Sequence, residues 1–361
     1  MHIELVTHNP PNSASGIGRF VQEILKYVSP HIPMRTVRTI PPPLSRRVTT
    51  LYHFPAGIDG HQPGAALHYT QIMGCAVQLW RRFRPAVATI HDLGVVVCKE
   101  DEPLLDRIGR SVLDVQLVGV RRMDQYAVNS LQTRDHLVRH LGVDERRIHF
   151  VQLGVDLENF RPIPTAYEEL ARRYNFHKQP GVFDLIYVGS ELPRKNVGLI
   201  LSAMAALKKK GYCLRLIKIG GAGGERWRTQ TMAQIKELGL EADVYFPPGI
   251  VPEPDLPLFY GGADLAVTAT LLEGGFAWVA MEAMACGRPV VASTGALIPE
   301  AATAGALVVS ERSVDEMVRA IARCIDDEAL RARLSTAGQH LIASYTWQAT
   351  AQAMLKVYEK L

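Results

Sequence analysis

The 361 residues carry 40 Lys or Arg against 36 Asp or Glu, a formal net charge of +4, and are 47% apolar and 21% charged. This composition excludes a disordered chain, a collagen and a coiled coil, and so small a charge gives no reason to expect nucleic acid. At roughly 150 residues per domain the length suits two domains, each with its own core. No apolar run approaches the ~18 residues of a membrane span. The opening MHIELVTHNPP lacks a basic stretch followed by an apolar one, so no signal peptide is expected and the expected location is cytoplasmic. The five cysteines (Cys75, Cys98, Cys213, Cys286, Cys324) are odd in number and none forms a C-x-x-C. They read as small buried hydrophobes in a reducing compartment, with no disulfide framework and no metal site.

In chain order, Ile3–Val6 reads as a short buried strand and residues 20–28 as an amphipathic helix. Residues 86–90 (AVATI) are strand-like, and 104–120 carry helical periodicity. A strand over 126–128, a helix over 133–141 and a strand over 149–153 follow. Strands alternating with helices imply βαβ units and a mostly parallel sheet. From 160 to 181 the texture changes, with three prolines around a short charged helix, the pattern of an interdomain connection.

The second half alternates more cleanly. Strands are expected over 183–189, 214–220, 244–246, 264–268 and 289–292, and helices over 197–210, 229–238 and 277–286. Two helices, over 314–326 and 328–344, and a last one from 347 to the end complete the chain. The fold class is α/β: two doubly wound domains, which bind ligands beyond the carboxyl ends of their strands. The expected division is 1–162, a linker over 163–181, and 182–345, with 346–361 packing back on the first domain. The cleft between two such domains is the default active site.

Several segments carry chemistry. SASGIGRF follows the first strand and opens the first helix, so Gly16 and Gly18 stand where a phosphate can meet free backbone amides. It is no dinucleotide fingerprint: G-x-G-x-x-G would need a glycine at Val21, and no acidic residue follows about 20 positions on. The bland alternative is a tight turn with no ligand. His91 and Asp92 stand at the carboxyl end of AVATI, placed to touch a ligand, although a lone histidine is as readily structural. FDLIYVG runs into SELPRKN, so Arg194 and Lys195 follow a strand ending at Gly189 and precede a helix. Two adjacent cations there can neutralise a diphosphate; the alternative is a solvated basic turn. GGAGGE at 220–225 also follows a strand and is weak alone.

TATLLEGGFAWVAMEAMACGRPVVAS carries the most information. Glu273 falls in a loop after a strand and Glu282 inside the next helix, so the two carboxylates can line one pocket. Surrounded by Ala and Met, Glu282 reads as a buried, partnered carboxylate rather than a solvated one. Elsewhere, CAVQLWRRFRP sets Arg81, Arg82 and Arg84 beside Trp80 and Phe83, which suits a peripheral contact with an anionic membrane. A solvated helix end with its aromatics in the core is the competing reading.

In order and spacing these motifs resemble the GT-B retaining glycosyltransferases of family 4, over nearly the whole chain. GIGRF is similar to that family's N-terminal glycine loop and TIHDL to its acceptor-domain His motif. LGVDLENFRP resembles the segment leading to its linker, and YVGSELPRKN its diphosphate loop. EGGFAWVAMEAMACGRPVVAS resembles its E-x7-E signature, with one departure. Glu273 and Glu282 enclose eight residues, the extra one being a glycine of the Gly274–Gly275 pair, and Ala277 stands where the family usually has Gly.

The resemblance implies transfer of a hexose, mannose slightly favoured, from a nucleotide-diphosphate sugar (GDP-mannose or a UDP-sugar) to a hydroxyl of a glycan or lipid-linked acceptor. It implies retained anomeric configuration, no metal and no cofactor, and a role in envelope or exopolysaccharide and glycolipid synthesis at the inner face of the cell membrane. Arg194 and Lys195 would stabilise the departing diphosphate, with Gly16, Gly18 and Gly189 close to it. Glu273 and His91 would hold the sugar, with Gly275 and Phe276 in the same loop, and Glu282 would hold the ribose. The nucleotide would sit on the second domain. The alternatives are a sugar-nucleotide epimerase or glycosidase on the same fold, or a non-catalytic sugar-nucleotide-binding partner subunit.

Overall fold

The computed structural model describes residues 1–7, 16–40, 57–93, 114, 116–271, 277–295 and 304–361. The chain divides into two compact units, residues 1–154 with 347–361, and residues 155–346.

The first unit is built on a six-stranded, all-parallel sheet. Its strands are β1 (Ile3–Val6), β2 (Met34–Val37), β5 (Ala66–Tyr69), β6 (Ala86–Ile90), β7 (Gln125–Val128) and β8 (Ile148–Phe150), in the order β2-β1-β5-β6-β7-β8. A short antiparallel pair, β3 (Thr39–Ile40) with β4 (Gly57–Ile58), lies apart from it. Helix α1 (Gly16–Val28) presents Phe20, Val21, Ile24 and Val28 to the interior, a spacing that puts them on one face. Helix α2 (Val77–Trp80) is a single turn. Helix α3 (Leu131–Leu141) starts where Ser130 Oγ accepts from the Thr133 amide at 3.0 Å and ends at Gly142 in the left-handed region. Strands β2 and β5 are absent from the sequence expectation, because MRTV and ALHY are short and carry polar residues that break an apolar run. Of the helix expected over 104–120, residues 104–113 and 115 lie outside the described residues, and 116–120 are helical.

The second unit begins with helix α4 (Ala166–Tyr174) and holds a second parallel sheet. Its strands are β9 (Phe183–Val188), β10 (Leu214–Ile219), β11 (Val244–Tyr245), β12 (Leu265–Thr268), β13 (Val290–Ser293) and β14 (Ala306–Val309), in the order β11-β10-β9-β12-β13-β14. Between them run α5 (Val197–Lys209), α6 (Glu225–Glu237), α7 (Leu256–Gly261) and α8 (Trp278–Ala285), followed by α9 (Val314–Asp326) and α10 (Glu328–Ile342). Parallel strands buried on both faces demand near-continuous apolar sequence, and β12 and β13 satisfy it at every position but Thr268 and Ser293.

Residues 155–181 group with the second unit. The proline-rich stretch has specific partners there. The Val155 amide donates to the Tyr345 carbonyl at 2.9 Å, and Phe160 packs edge-on to Tyr260. Tyr174 packs on Phe259, and Arg173 pairs with Asp255. Lys178 joins Asp184 at 3.0 Å and Asp264 at 2.5 Å. Ionic and ring contacts of this kind leave no periodicity in the sequence. The last helix, α11 (Trp347–Tyr358), groups with the first unit, packing on α1 and reaching into the sheet through Tyr358. Cys75, Cys286 and Cys324 are buried small apolar groups; Cys213 is exposed, and Cys98 lies outside the described residues.

Candidate functional site

In each sheet the strand order reverses once, between β1 and β5 in the first unit and between β9 and β12 in the second. The carboxyl ends of those strands are where a doubly wound sheet opens a crevice to ligands.

In the second unit β9 runs out at Gly189 into the loop that carries Arg194 and Lys195. The two cations occupy a 3-10 turn, Pro193–Lys195, closed by Asn196 in the left-handed region at φ 52°. The turn is fastened on two sides. The Leu271 amide, just beyond β12, donates to the Arg194 carbonyl at 2.8 Å, and Asn196 Nδ2 donates to the Glu311 carbonyl at 2.8 Å. Ser293 Oγ, at the end of β13, donates to the Thr270 carbonyl at 2.7 Å. The ends of β9, β12 and β13 thus form one fastened edge. Glu273, Gly275 and Phe276 themselves lie outside the described residues.

Glu282 is 3% exposed, on the buried face of α8, and accepts from Tyr260 Oη at 3.1 Å. Tyr260 rests against Phe160, so the segment expected as a linker also helps to seat this carboxylate.

A charged cluster that sequence reading missed lies beside the loop that carries Arg194 and Lys195. Glu191 Oε1 is 2.7 Å from both Lys218 Nζ and Arg228 Nη2, with the Glu191 and Lys218 side chains at 0% and 1% exposure. Burial pushes the Lys218 ammonium below its ordinary range, and the Glu191 carboxylate opposes that shift. Lys218 also donates to the Gly220 carbonyl at 2.7 Å, and the Glu191 amide donates to the Ala222 carbonyl at 3.1 Å. The second glycine-rich segment is therefore the bed on which the start of the loop carrying Arg194 and Lys195 lies. Gly220, at φ +99°, passes so near that a β-carbon would stand 2.8 Å from the Gly189 carbonyl oxygen. The only available signal was a lysine inside the apolar run LRLIKI, which suggests a buried partner.

In the first unit, α1 begins at exposed Gly16 and buries Gly18; residues 8–15 of the glycine loop lie outside the described residues. His91 follows β6. Its ring packs edge-on to Phe20 with centroids 4.9 Å apart, and Nδ1 accepts from Asn129 Nδ2 at 3.4 Å. Burial holds the imidazole pKa down to about 4, so it is neutral at physiological pH. With Nδ1 accepting, the proton sits on Nε2, which makes that atom a donor. Two residues earlier, Thr89 Oγ1 lies 2.7 Å from Nε2 of His68, whose Nδ1 lies 2.7 Å from Tyr358 Oη of α11. His68 is fully buried and held down to about 3.

The basic–aromatic stretch divides. Phe83 enters the core at 8% exposure with Arg81 over its ring at 5.2 Å, and Arg84 lies 3.3 Å from Asp124. Trp80 is 63% exposed beside exposed Arg82. Among the described residues no helix is long and apolar enough to cross a membrane, and no cluster of metal-ligating side chains is present.

Two family models match this chain, "Glycosyltransferase Family 4" over residues 3–159 and "Glycosyl transferases group 1" over residues 171–341. A D-inositol 3-phosphate glycosyltransferase of Corynebacterium glutamicum (strain R) is 30% identical over 292 residues, 78% of this chain and 67% of that protein. One from Segniliparus rotundus is 32% identical over 283 residues, 76% of this chain and 60% of that protein. The chain thus spans about three fifths to two thirds of the length of these relatives. Among solved structures, sucrose-phosphate synthase from Thermosynechococcus elongatus aligns with a TM-score of 0.81 at 24% identity, covering 100% of this chain and 98% of that one. Anabaena HepE in complex with UDP-glucose aligns at 0.75 and 19%, covering 100% of both chains. At such identities these two likenesses speak for the fold, a pair of GT-B domains.

Proposed function

Because this chain belongs to glycosyltransferase family 4, we propose that it transfers a hexose from a nucleotide-diphosphate sugar to an acceptor hydroxyl with retention of configuration. The observation that carries this reading is the fastened edge of the second unit. Two cations stand in a turn held by Leu271 and Asn196, and the buried carboxylate of Glu282 lies on the helix that follows β12. Preorganised positive charge of this kind favours a departing diphosphate, because it needs no rearrangement as charge develops. Arg194 offers a forked contact and Lys195 a point charge. We assign Glu282 to the ribose hydroxyls, Glu273 to the sugar, and His91 to a sugar hydroxyl through its Nε2 proton.

In this reading the bond between the anomeric carbon and the leaving phosphate oxygen breaks. The acceptor oxygen bonds to that carbon on the same face, and its proton passes to the leaving phosphate. No step calls for a metal. The donor is GDP-mannose or a UDP-sugar; HepE, a fold neighbour, is in complex with UDP-glucose in its structure. A glycan or lipid-linked acceptor, cytoplasmic work in polysaccharide or glycolipid synthesis, and contact with anionic lipid through Trp80, Arg81 and Arg82 extend the same proposal.

The test is binding and slow hydrolysis of GDP-, UDP-, ADP- and dTDP-sugars by the full chain, followed by thermal shift and sugar release. Saturable binding with sugar release from one nucleotide series is the expected result. Binding without release or transfer under any condition would leave a non-catalytic sugar-nucleotide-binding subunit instead. Flotation with neutral and anionic liposomes tests the lipid contact, and equal binding to both removes it.

A further inference from the structure

The carboxyl edge of the second sheet holds buried charge that no step of the proposed transfer uses. Of residues 189–196, the loop between β9 and α5, Glu191 alone is buried. Its carboxylate meets two cations at 2.7 Å, Lys218 near the end of β10 and Arg228 in the first turn of α6. Arg228 is half-buried and lies over the Phe246 ring at 4.5 Å, just beyond β11. Lys218 is held again by the Gly220 carbonyl. One side chain therefore ties the loop to a strand and a helix at once.

Such a cluster is a poor way to stabilise a fold. Taking an ammonium and a carboxylate out of water offsets much of their attraction, and apolar groups of similar volume often serve as well or better. Ions are better at fixing position, because a charge-assisted contact is satisfied only at short range and in a set direction, whereas apolar contacts tolerate sliding. Here the thing fixed is the first half of the loop. The Gly189 amide donates to the Ile219 carbonyl at 2.9 Å, Tyr187 Oη donates to the Ser190 carbonyl at 2.8 Å, and the Glu191 carboxylate completes the hold. The second half, with Arg194 and Lys195, is tied to Leu271 and Glu311, on the other side of β9. Charge agrees with this division. A bare carboxylate three positions from Arg194 would repel an anion, but between Lys218 and Arg228 it leaves a net positive cluster.

We propose that Glu191 is a positioning residue for diphosphate recognition: clamped between Lys218 and Arg228, it sets where the loop delivers Arg194 and Lys195 to the departing phosphates. The inference rests on the glycosyltransferase reading for its ligand. Glu191 acts through the two loop cations.

The experiment uses two variants of the full chain. Glu191→Leu with Lys218→Met replaces the buried pair by apolar groups of similar size, and Arg228→Met loosens the clamp from its half-exposed side. Each is titrated by calorimetry with UDP, GDP, UMP and GMP. In the nucleotide series that binds, the paired variant should lose about tenfold or more in affinity for the diphosphate and less than about twofold for the monophosphate; Arg228→Met should lose about threefold for the diphosphate. The same changes in an Arg194→Ala, Lys195→Ala background should weaken diphosphate binding no further, because a residue that acts through others has no effect once they are gone. A merely structural role would not give that non-additivity. Diphosphate affinity within about twofold of the unmutated chain overturns the proposal, as do equal losses for diphosphate and monophosphate, or losses that add to those of the Arg194→Ala, Lys195→Ala background. Should the paired variant not fold, Arg228→Met decides by the same measures. An unmutated chain that binds neither UDP nor GDP would overturn the glycosyltransferase reading itself, and this inference with it.

Discussion

The two units share an architecture and differ at the edge that matters. The second unit's strand ends are charged and fastened. Arg194 and Lys195 sit in a turn tied to Leu271 and Asn196, beside the cluster of buried Glu191 and Lys218 with half-buried Arg228. The first unit's strand ends carry a single carboxylate, Asp92, beside His91, and leave buried Gln71 Nε2 and Asn129 Oδ1 without a hydrogen-bond partner. A site for a diphosphate must hold its charges in place beforehand, because unpaired ions cannot stay buried. A neutral buried atom can stay unmatched at a bearable cost.

The comparison breaks most visibly if the charged cluster is not what supports the second edge. Glu191→Leu leaves the buried Lys218 ammonium with the Gly220 carbonyl and the like charge of Arg228, and equilibrium denaturation should show a loss of about 3–5 kcal/mol. Glu191→Leu with Lys218→Met should recover most of it, and a double variant no better than the single one would dismiss the cluster as a unit. Next comes Glu273→Gln, which keeps shape and removes charge. Turnover should fall by roughly a hundredfold or more while affinity for the free nucleotide diphosphate holds, because free nucleotide has no sugar for Glu273 to touch. Near-normal turnover would mean that the extra glycine has carried this carboxylate out of the site.

Glu282→Ala should weaken donor and free nucleotide alike. A charge-assisted hydrogen bond contributes ~1.5–3 kcal/mol, so titration calorimetry should register about a ten- to hundredfold loss. Nucleotide affinity untouched by this change would move the ribose elsewhere.

A dependence on pH belongs to the first unit. His68 and His91 are held down to about 3 and about 4, below an ordinary value of 6.5. As pH falls below 6.5 the unfolded chain takes up protons that the folded one refuses, so stability drops through this window and levels off below the folded values. Denaturation midpoints between pH 7 and pH 5 should decline with falling pH, and less steeply in His68→Gln. An equal decline in that variant would place the responsible protons elsewhere.

Much of this protein could be read from residue order alone. Apolar runs bounded by glycine and polar turns located β1, β6, β9, β10 and β12 to within a residue or so, and the helix-spaced stretches located α5, α9 and α11. Burial on both faces of a parallel strand forces such runs into the sequence. The placement of Arg194 and Lys195 after a strand was legible for the same reason: backbone periodicity shows where a strand must stop. Tertiary structure decided what periodicity does not encode. Polar-bearing β2 and β5 became strands because neighbouring strands supplied their hydrogen bonds. Residues 155–181 joined the second unit through Phe160, Tyr174 and Lys178, whose partners lie 80 or more positions away or across a turn. Glu191 met Lys218 and Arg228, and His91 met Asn129, because parallel strands bring their carboxyl ends to one edge. Which side chains are paired there and which are left waiting is set by distances in space, and hydrogen bonds and ion pairs act over a few ångströms whatever the separation along the chain.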